Sequence, residues 1–270
     1  MSGPLISIIT PSYNQIDFIE KNIQSVCSQD HDKIEHIIID GGSNDGTLDI
    51  LEKYEDEYNL RWVSEGDRGQ SHAINKGVEM ACGELIGWQN SDDFYVGNAL
   101  DLVAKEYRRN SNIDVIYGDT LIVDEDGNEL SRKFHTRPSK FSQRYWSLFA
   151  RNQSLFIKKK VFDELGGIDE NLHYVMDAKL TWQLLEGNFH YKCIPRPLGA
   201  FRIQQNAKTF GNRSKDHQLE KEQIYPHTWY EDYIPQLLLE KLAKFIKAKN
   251  LVLDCRFDAL YYNIKNRFWH

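Results

Sequence analysis

Apolar positions in the first hundred residues follow two alternating rhythms. Short β-type runs, LISIIT (5–10), EHIIID (35–40), LRWVSE (60–65) and ELIGWQN (84–90), predict four strands. Between them lie stretches of helical spacing. FIEKNIQSVCSQ (18–29) carries Ile19, Ile23 and Val26 on one face, and residues 47–58, 71–82 and 98–109 follow the same period. Strand–helix alternation at this pitch predicts a parallel sheet covered by helices on both faces. In such sheets ligands bind at the carboxyl ends of the strands. Those ends are TPSYN, DGGSNDGT, SEGDRG and NSDD, all rich in Asp, Asn, Ser and Gly.

Beyond residue 96 the pattern is less regular. DVIYGDTLIV (114–123) and LSRKF (130–134), joined through Asp126-Gly127, predict a hairpin. A helix is expected over 177–185 and a strand over 199–203, and after Gly211 the chain turns helical and aromatic. This divides the chain into 1–95, 96–212 and a C-terminal helical extension, 213–270.

The composition is that of an ordinary globular protein, with 41% hydrophobic and 27% charged residues in 270, which excludes disorder as the dominant state. Thirty-three basic against 40 acidic residues leave a net charge of −7, which argues against nucleic acid as a partner. The charge is uneven: residues 241–270 carry seven basic and two acidic side chains, a local balance of +5. No apolar run approaches the roughly 20 residues of a membrane span, and the N-terminus lacks the basic and apolar regions of a secretory signal. Cys27, Cys82, Cys193 and Cys255 are far apart, so buried free thiols in a reducing cytoplasm are expected.

The loops carry the candidate chemistry. Asp92 and Asp93 repel one another unless a cation or a cluster of donors lies between them, and hard divalent cations take such oxygens together with substrate phosphates. The same pair could instead cap the next helix. Asp40, at a buried strand terminus, can accept hydrogen bonds from a nucleobase or a ribose, whereas Ser43 and Asp45 suit capping. Tyr13 can cover a base. Asp67 and Arg68 stand on a neighbouring strand end, where Arg68 could also simply balance the acidic loops.

With those loops in that order, residues 1–95 resemble the family 2 glycosyltransferases. The run SEGDRGQSHAINKGVEMACGELIGWQNSDD is similar to the family's sequence of D-R-G, A-x-N-K-G, G-E-x-I and a D-x-D-like end. The resemblance implies a GT-A fold, an α/β arrangement with a Rossmann-like, mostly parallel sheet flanked by helices. Residues 1–95 then form the nucleotide-sugar half and 96–212 the acceptor half. It further implies that Thr10, Pro11, Tyr13, Asn14, Asp40, Asp67, Arg68, Asn75, Ser91 and Asp92 bind the nucleotide. Asp92 matches the last Asp of D-x-D and would bind a divalent cation, Mn²⁺ or Mg²⁺. Asn90 stands at the first position of that motif, and Asp93 could make up for the missing carboxylate.

From Asn152 to Thr209 the resemblance continues in GGIDENLHYVMDAKLTWQLL, where Asp177 matches the catalytic base; it could also cap its helix. Met176 and Lys179 replace acidic residues common there, and Gln204 takes the place of a His. Gln153 and Arg202 are implied beside the acceptor or the diphosphate, although Arg202 could be a strand-end surface residue. Trp182, Trp88, Trp146 and Tyr174 are candidate sugar-stacking platforms, of which at most one is expected to serve and the rest to lie in the core. The activity implied is inverting transfer of a hexose from a UDP-sugar to a saccharide hydroxyl. The likeness to transferases of O-antigen-type surface polysaccharides implies a lipid-linked acceptor at the inner face of the cell membrane. Independently, the basic residues Lys241, Lys244, Lys247, Lys249, Arg256, Lys265 and Arg267, mixed with Phe245, Ile246, Leu251, Leu253 and Phe257, could rest on that anionic surface. The segment could equally be a helical flap packed on the catalytic domain with a solvated basic face. Two rivals stand beside it. A sugar nucleotidyltransferase wants a Gly-rich basic loop after the first strand, which TPSYNQ is not; a non-catalytic sugar-nucleotide or glycan-binding module would not hydrolyse a nucleotide sugar.

Overall fold

Strands that are apolar on both sides become the centre of one sheet, because each face is covered by helices. The computed structural model describes residues 3–204, 215–225, 227–254, 256, 259 and 262. The strands are β1 (Ile6–Ser12), β2 (Ile34–Asp40), β3 (Leu60–Ser64), β4 (Leu85–Trp88), β5 (Phe94–Tyr95), β6 (Val115–Val123), β7 (Glu129–Lys133), β8 (Leu155–Lys158) and β9 (Tyr191–Arg202). The helices are α1 (Ile19–Cys27), α2 (Thr47–Tyr54), α3 (Gln70–Met80), α4 (Ala99–Arg109), α5 (Lys140–Tyr145), α6 (Lys159–Glu164), α7 (Met176–Glu186), α8 (Lys215–Ile224) and α9 (Gln236–Leu253).

The sheet runs β3-β2-β1-β4-β8-β6-β9-β5, with β7 added to β6. β3, β2, β1 and β4 are parallel, so all four polar loops leave the same edge. β8 runs antiparallel to both β4 and β6, and the longest ladder, β6 with β9, is again parallel. The order reverses at β1, which lies between β2 and β4; such a switch point opens a crevice at the strand ends.

Alternation of side chains sorts the core. Ile37 and Ile39 meet α3 through Ala73, Ile74 and Val78, whereas Ile38 faces Ile19, Ile23 and Leu51 of α1 and α2. Ile6 and Ile8 pack against Leu100 and Val103 of α4.

The β9 strand begins eight residues earlier than its pattern predicts, because Arg196 and Pro197 interrupt the apolar run at a register shift against β6. β5 and β8 are absent from the reading of the pattern: β5 is two residues long, and β8 is a short apolar run closed by Lys158, with α6 following directly at Lys159. The cysteine expectation is corrected. Cys27 and Cys82 are exposed and Cys193 is half-buried, all three as free thiols; Cys255 lies outside the described residues.

Candidate active site

The register Ser12–Asp40–Ser64 lines up the ends of β1, β2 and β3. Asp40 is fully buried, and its carboxylate gathers the loop that follows. It accepts from the backbone N–H of Gly42 (3.0 Å) and Ser43 (2.8 Å) and from the hydroxyls of Ser43 (2.5 Å) and Ser64 (2.7 Å). The Ser43 hydroxyl in turn accepts from Asn14 N–H at 2.7 Å, and Asn14 Oδ1 accepts from Asn44 N–H at 3.0 Å. Asn14 does this with a φ of 50°, in the left-handed region that Asn tolerates. Thr10 and Pro11 are buried, and the Thr10 hydroxyl shares a 2.9 Å hydrogen bond with His36, so neither offers a side chain to the crevice. Tyr13 does, being 60% exposed. Gly41 lets two loops close on one another: a Cβ there would lie 3.0 Å from Asp67 Oδ2 and 3.3 Å from the Tyr13 ring. Asp67 keeps Oδ2 toward this point and uses Oδ1 to accept the Gly69 N–H at 2.7 Å.

Arg68 and Asn75 converge on the loop before α7. Arg68 pairs with Glu170 at 2.6 Å, and Asn75 donates to Ile168 O (2.9 Å) and Glu170 (3.1 Å) while accepting the Ile168 N–H (2.8 Å). Both are expected nucleotide contacts; in this arrangement they tie the α6–α7 loop to the strand ends.

The NSDD turn is held from every side. Asn90 Oδ1 accepts from Trp88 and Gln70, each at 2.8 Å, and its amide donates to Asp93 at 3.2 Å. Asn22 donates to the carbonyls of Asn90 and Asp93. Asp93 is 1% exposed and accepts from Gln153 (2.7 Å) and the Arg202 N–H (2.9 Å) as well. Burial and the neighbouring Asp92 push its carboxyl well above the ordinary range. The expectation that Asp93 shares a cation with Asp92 is therefore corrected: its oxygens are occupied by the chain. Arg202 is corrected likewise. It is buried over Phe18 and Phe94, its Nε donates to Asp92 O at 2.8 Å and its Nη1 to Glu125 O, so it clamps the turn rather than facing a diphosphate. Ser91, too, is buried.

Asp92 is the carboxylate that remains available. It is half-buried and accepts from Gln204 at 2.6 Å; burial raises its carboxyl against that bond. Among the described residues no three acidic, His or Cys side chains could hold an ion together. This donor set fits a hard cation that takes one carboxylate from the chain and the rest of its shell from a diphosphate and water.

Asp177 sits in the first turn of α7, one residue inside the helix rather than at its cap. Its Oδ1 accepts the Ala178 N–H at 2.7 Å. Burial raises its carboxyl, opposed by that bond and by Arg151. The approach to α7 is fixed by buried Glu220 of α8, which accepts the N–H groups of His173 (3.0 Å), Tyr174 (2.9 Å) and Val175 (3.3 Å). Trp182 is corrected to a core residue, with Tyr225 edge-on at 5.0 Å, and Trp88 is buried too. Trp146 and Tyr174 are the two expected platforms that stay exposed.

The model of glycosyl transferase family 2 matches residues 7–167. The chain is a family 2 glycosyltransferase. Over 138 residues the transferase is 37% identical to a putative teichuronic acid biosynthesis glycosyltransferase, TuaG, of Bacillus subtilis, covering 50% of this chain and 54% of that protein. Over 185 residues it is 29% identical to the chondroitin synthase of Escherichia coli, covering 68% and 24%. It thus spans between about a quarter and about half of these curated relatives. Among solved structures, S. aureus TarS 1–349 with UDP-GlcNAc aligns with a TM-score of 0.64 at 19% identity, over 77% of this chain and 61% of that one. The mannosyltransferase PcManGT of Pyrobaculum calidifontis, with GDP-Man and Mn²⁺, aligns at 0.63 and 16% identity over 100% and 84%. The fold is GT-A.

Glu220, Glu170 and Arg151 were not singled out from the transferase's sequence. Glu220 acts on backbone some 45 residues away, and a lone Glu in a polar helix carries no mark of that.

Proposed function

We propose that the transferase moves a hexose from a UDP-sugar to a hydroxyl of a saccharide acceptor, with inversion, in the assembly of a surface polysaccharide. The observation that supports this most is electrostatic. Arg151 lies two residues before Gln153, which donates to Asp93 at 2.7 Å, and the Asp177 and Asp93 carboxylates both hold its guanidinium up against burial. This supports reading the first turn of α7 and the NSDD turn as facing one crevice. A base and a diphosphate anchor on the same crevice are what in-line transfer requires.

In this reading Tyr13 stacks on the base, and Asp67, with the loop organised by Asp40, receives the nucleoside. Asp92 would hold a divalent cation, which when bound would supply positive charge for the leaving diphosphate. Asp177 accepts the proton of the acceptor hydroxyl as its oxygen bonds to the anomeric carbon, and UDP departs with the electrons of the broken C–O bond. The acceptor is read as lipid-linked, at the inner face of the membrane. Among the described residues no helix is long and apolar enough to cross a membrane. Exposed Leu238, Leu242 and Phe245 on α9, beside Lys241 and Lys249, would then rest on lipid.

A panel of UDP-sugars with Mn²⁺ or Mg²⁺, followed by UDP release, tests the assignment. One sugar should be hydrolysed slowly without acceptor, and excess EDTA or Asp92→Ala should stop it. A chain that does not bind UDP in a calorimetric titration would refute the reading.

A further inference from the structure

Two half-buried cations, Arg151 and Lys247, meet at one chain segment, and neither forms a close ion pair among the described residues. The guanidinium of Arg151 lies over the Phe201 ring at 5.1 Å and forms no ion pair within 4 Å among the described residues. Lys247 reaches in from α9 to the same chain segment, its Nζ 3.1 Å from Ser147 Oγ, a neutral partner. The carboxylate within reach of Lys247, Asp119, is already occupied. It takes Arg132 at 2.6 Å, Arg256 at 2.5 Å and the His135 N–H at 3.0 Å.

Burial sets the titration of these groups first, and like charge adds to it at Lys247 and His135. Burial, with Lys133 and Arg151 nearby, pushes the Lys247 ammonium down to about 8. Burial lowers Arg151 as well, against the pull of Asp177 and Asp93. Beneath them His135 is held neutral by burial and by Lys247 and Arg151. An oxyanion placed between cations relieves such repulsion.

The position of the cluster decides which oxyanion. Segment 147–153 holds Asp93 at its far end through Gln153 and meets Lys247 at its near end through Ser147. The positive charge therefore extends from Arg151 away from the NSDD turn, toward α9, and not along the loops of β1 to β4.

We propose that Arg151 and Lys247 form an oxyanion subsite for the acceptor, so that the saccharide presenting its hydroxyl to Asp177 also carries a carboxylate or a phosphate. This rests on the functional reading above. The Arg151 fork suits two-point binding of either group, and Lys247 adds a point charge.

The test uses the full chain with UDP saturating, so that the diphosphate site is filled. Glucuronate, glycerol 3-phosphate and glucose are titrated and followed by ligand-observed NMR. One anion should bind at least about 10-fold more tightly than glucose, and which one separates a uronate from a phosphate acceptor. Arg151→Gln should lose that advantage, Lys247→Gln should lose roughly 3-fold, and UDP affinity by calorimetry should stay within about 2-fold of wild type. Arg151→Lys, which keeps the charge without the fork, should fall between and serves if the Gln variant does not fold. Anions that bind no better than glucose would overturn the proposal. So would an advantage that survives Arg151→Gln, or a parallel loss of UDP affinity, which would move Arg151 to the diphosphate. A wild type that cannot bind UDP removes the functional reading itself.

Discussion

Asp177 shows how one position sets both reactivity and cost. Its carboxyl is raised by burial, so the folded protein favours the protonated form. The stabilising contribution is then complete below the unfolded value near 3.8 and is lost as pH rises through the folded one. At neutral pH the charged group is a burden on the fold, and Asp177→Asn should unfold at higher urea than wild type. If Asp177 is the base, the same variant should keep UDP binding while turnover falls by roughly 10²- to 10⁴-fold. The acid limb of kcat/KM in wild type should also lie above the ordinary Asp range. Near-normal transfer by the Asn variant would leave Asp177 a structural group at the helix start. The sequence pointed to Asp177 through its motif. It could not separate Asp92 from Asp93, because that difference is made by Gln153 and the Arg202 N–H arriving from distant strands.

The element that positions the acidic turn is β9, through its crossing with the short 3-10 turn Asn152–Ser154 that leads into β8. At Gly199 a Cβ would fall 2.0 Å from the carbonyl oxygen of Gln153, a backbone atom that cannot swing aside. Gly199→Ala should push β9 off this turn, destabilise the fold by about 1–3 kcal/mol or more, and loosen the Arg202 clamp on Asp92 and Asp93. Urea denaturation measures the first effect and a UDP titration the second. Wild-type stability in that variant would contradict the packing described here. Periodicity located every long element of residues 1–123, since each is apolar over enough positions to show its period. It overlooks β5 and β8, whose pairing depends on partners at least 38 residues away.

At the scale of the molecule, the C-terminal segment is both packed and exposed. Leu239, Ala243 and Leu251 of α9 are buried, and Arg256 is buried on Asp119, which withdraws Leu251 and Arg256 from the expected membrane face. Lys244 covers Trp146 at 3.9 Å, and Lys247 turns inward. Phe257, Lys265 and Arg267 lie outside the described residues. What α9 leaves outside is Leu237, Leu238, Leu242 and Phe245 with Lys241 and Lys249. Sedimentation with anionic vesicles should capture the protein at low salt. Lys241→Glu with Lys249→Glu should release it, each lost charge being worth about 1 kcal/mol. Capture equal on neutral vesicles, or none at all, would remove the membrane contact. By itself the sequence determined the alternating α/β architecture and the row of polar strand ends, because period and loop composition are local properties of the chain. Which acidic and basic groups remain available is set by how distant segments pack. Whether a charge faces a ligand or is answered by the chain depends on neighbours brought in from far along it, as Arg202 is to Asp93, Glu220 to the start of α7, and Arg256 to Asp119.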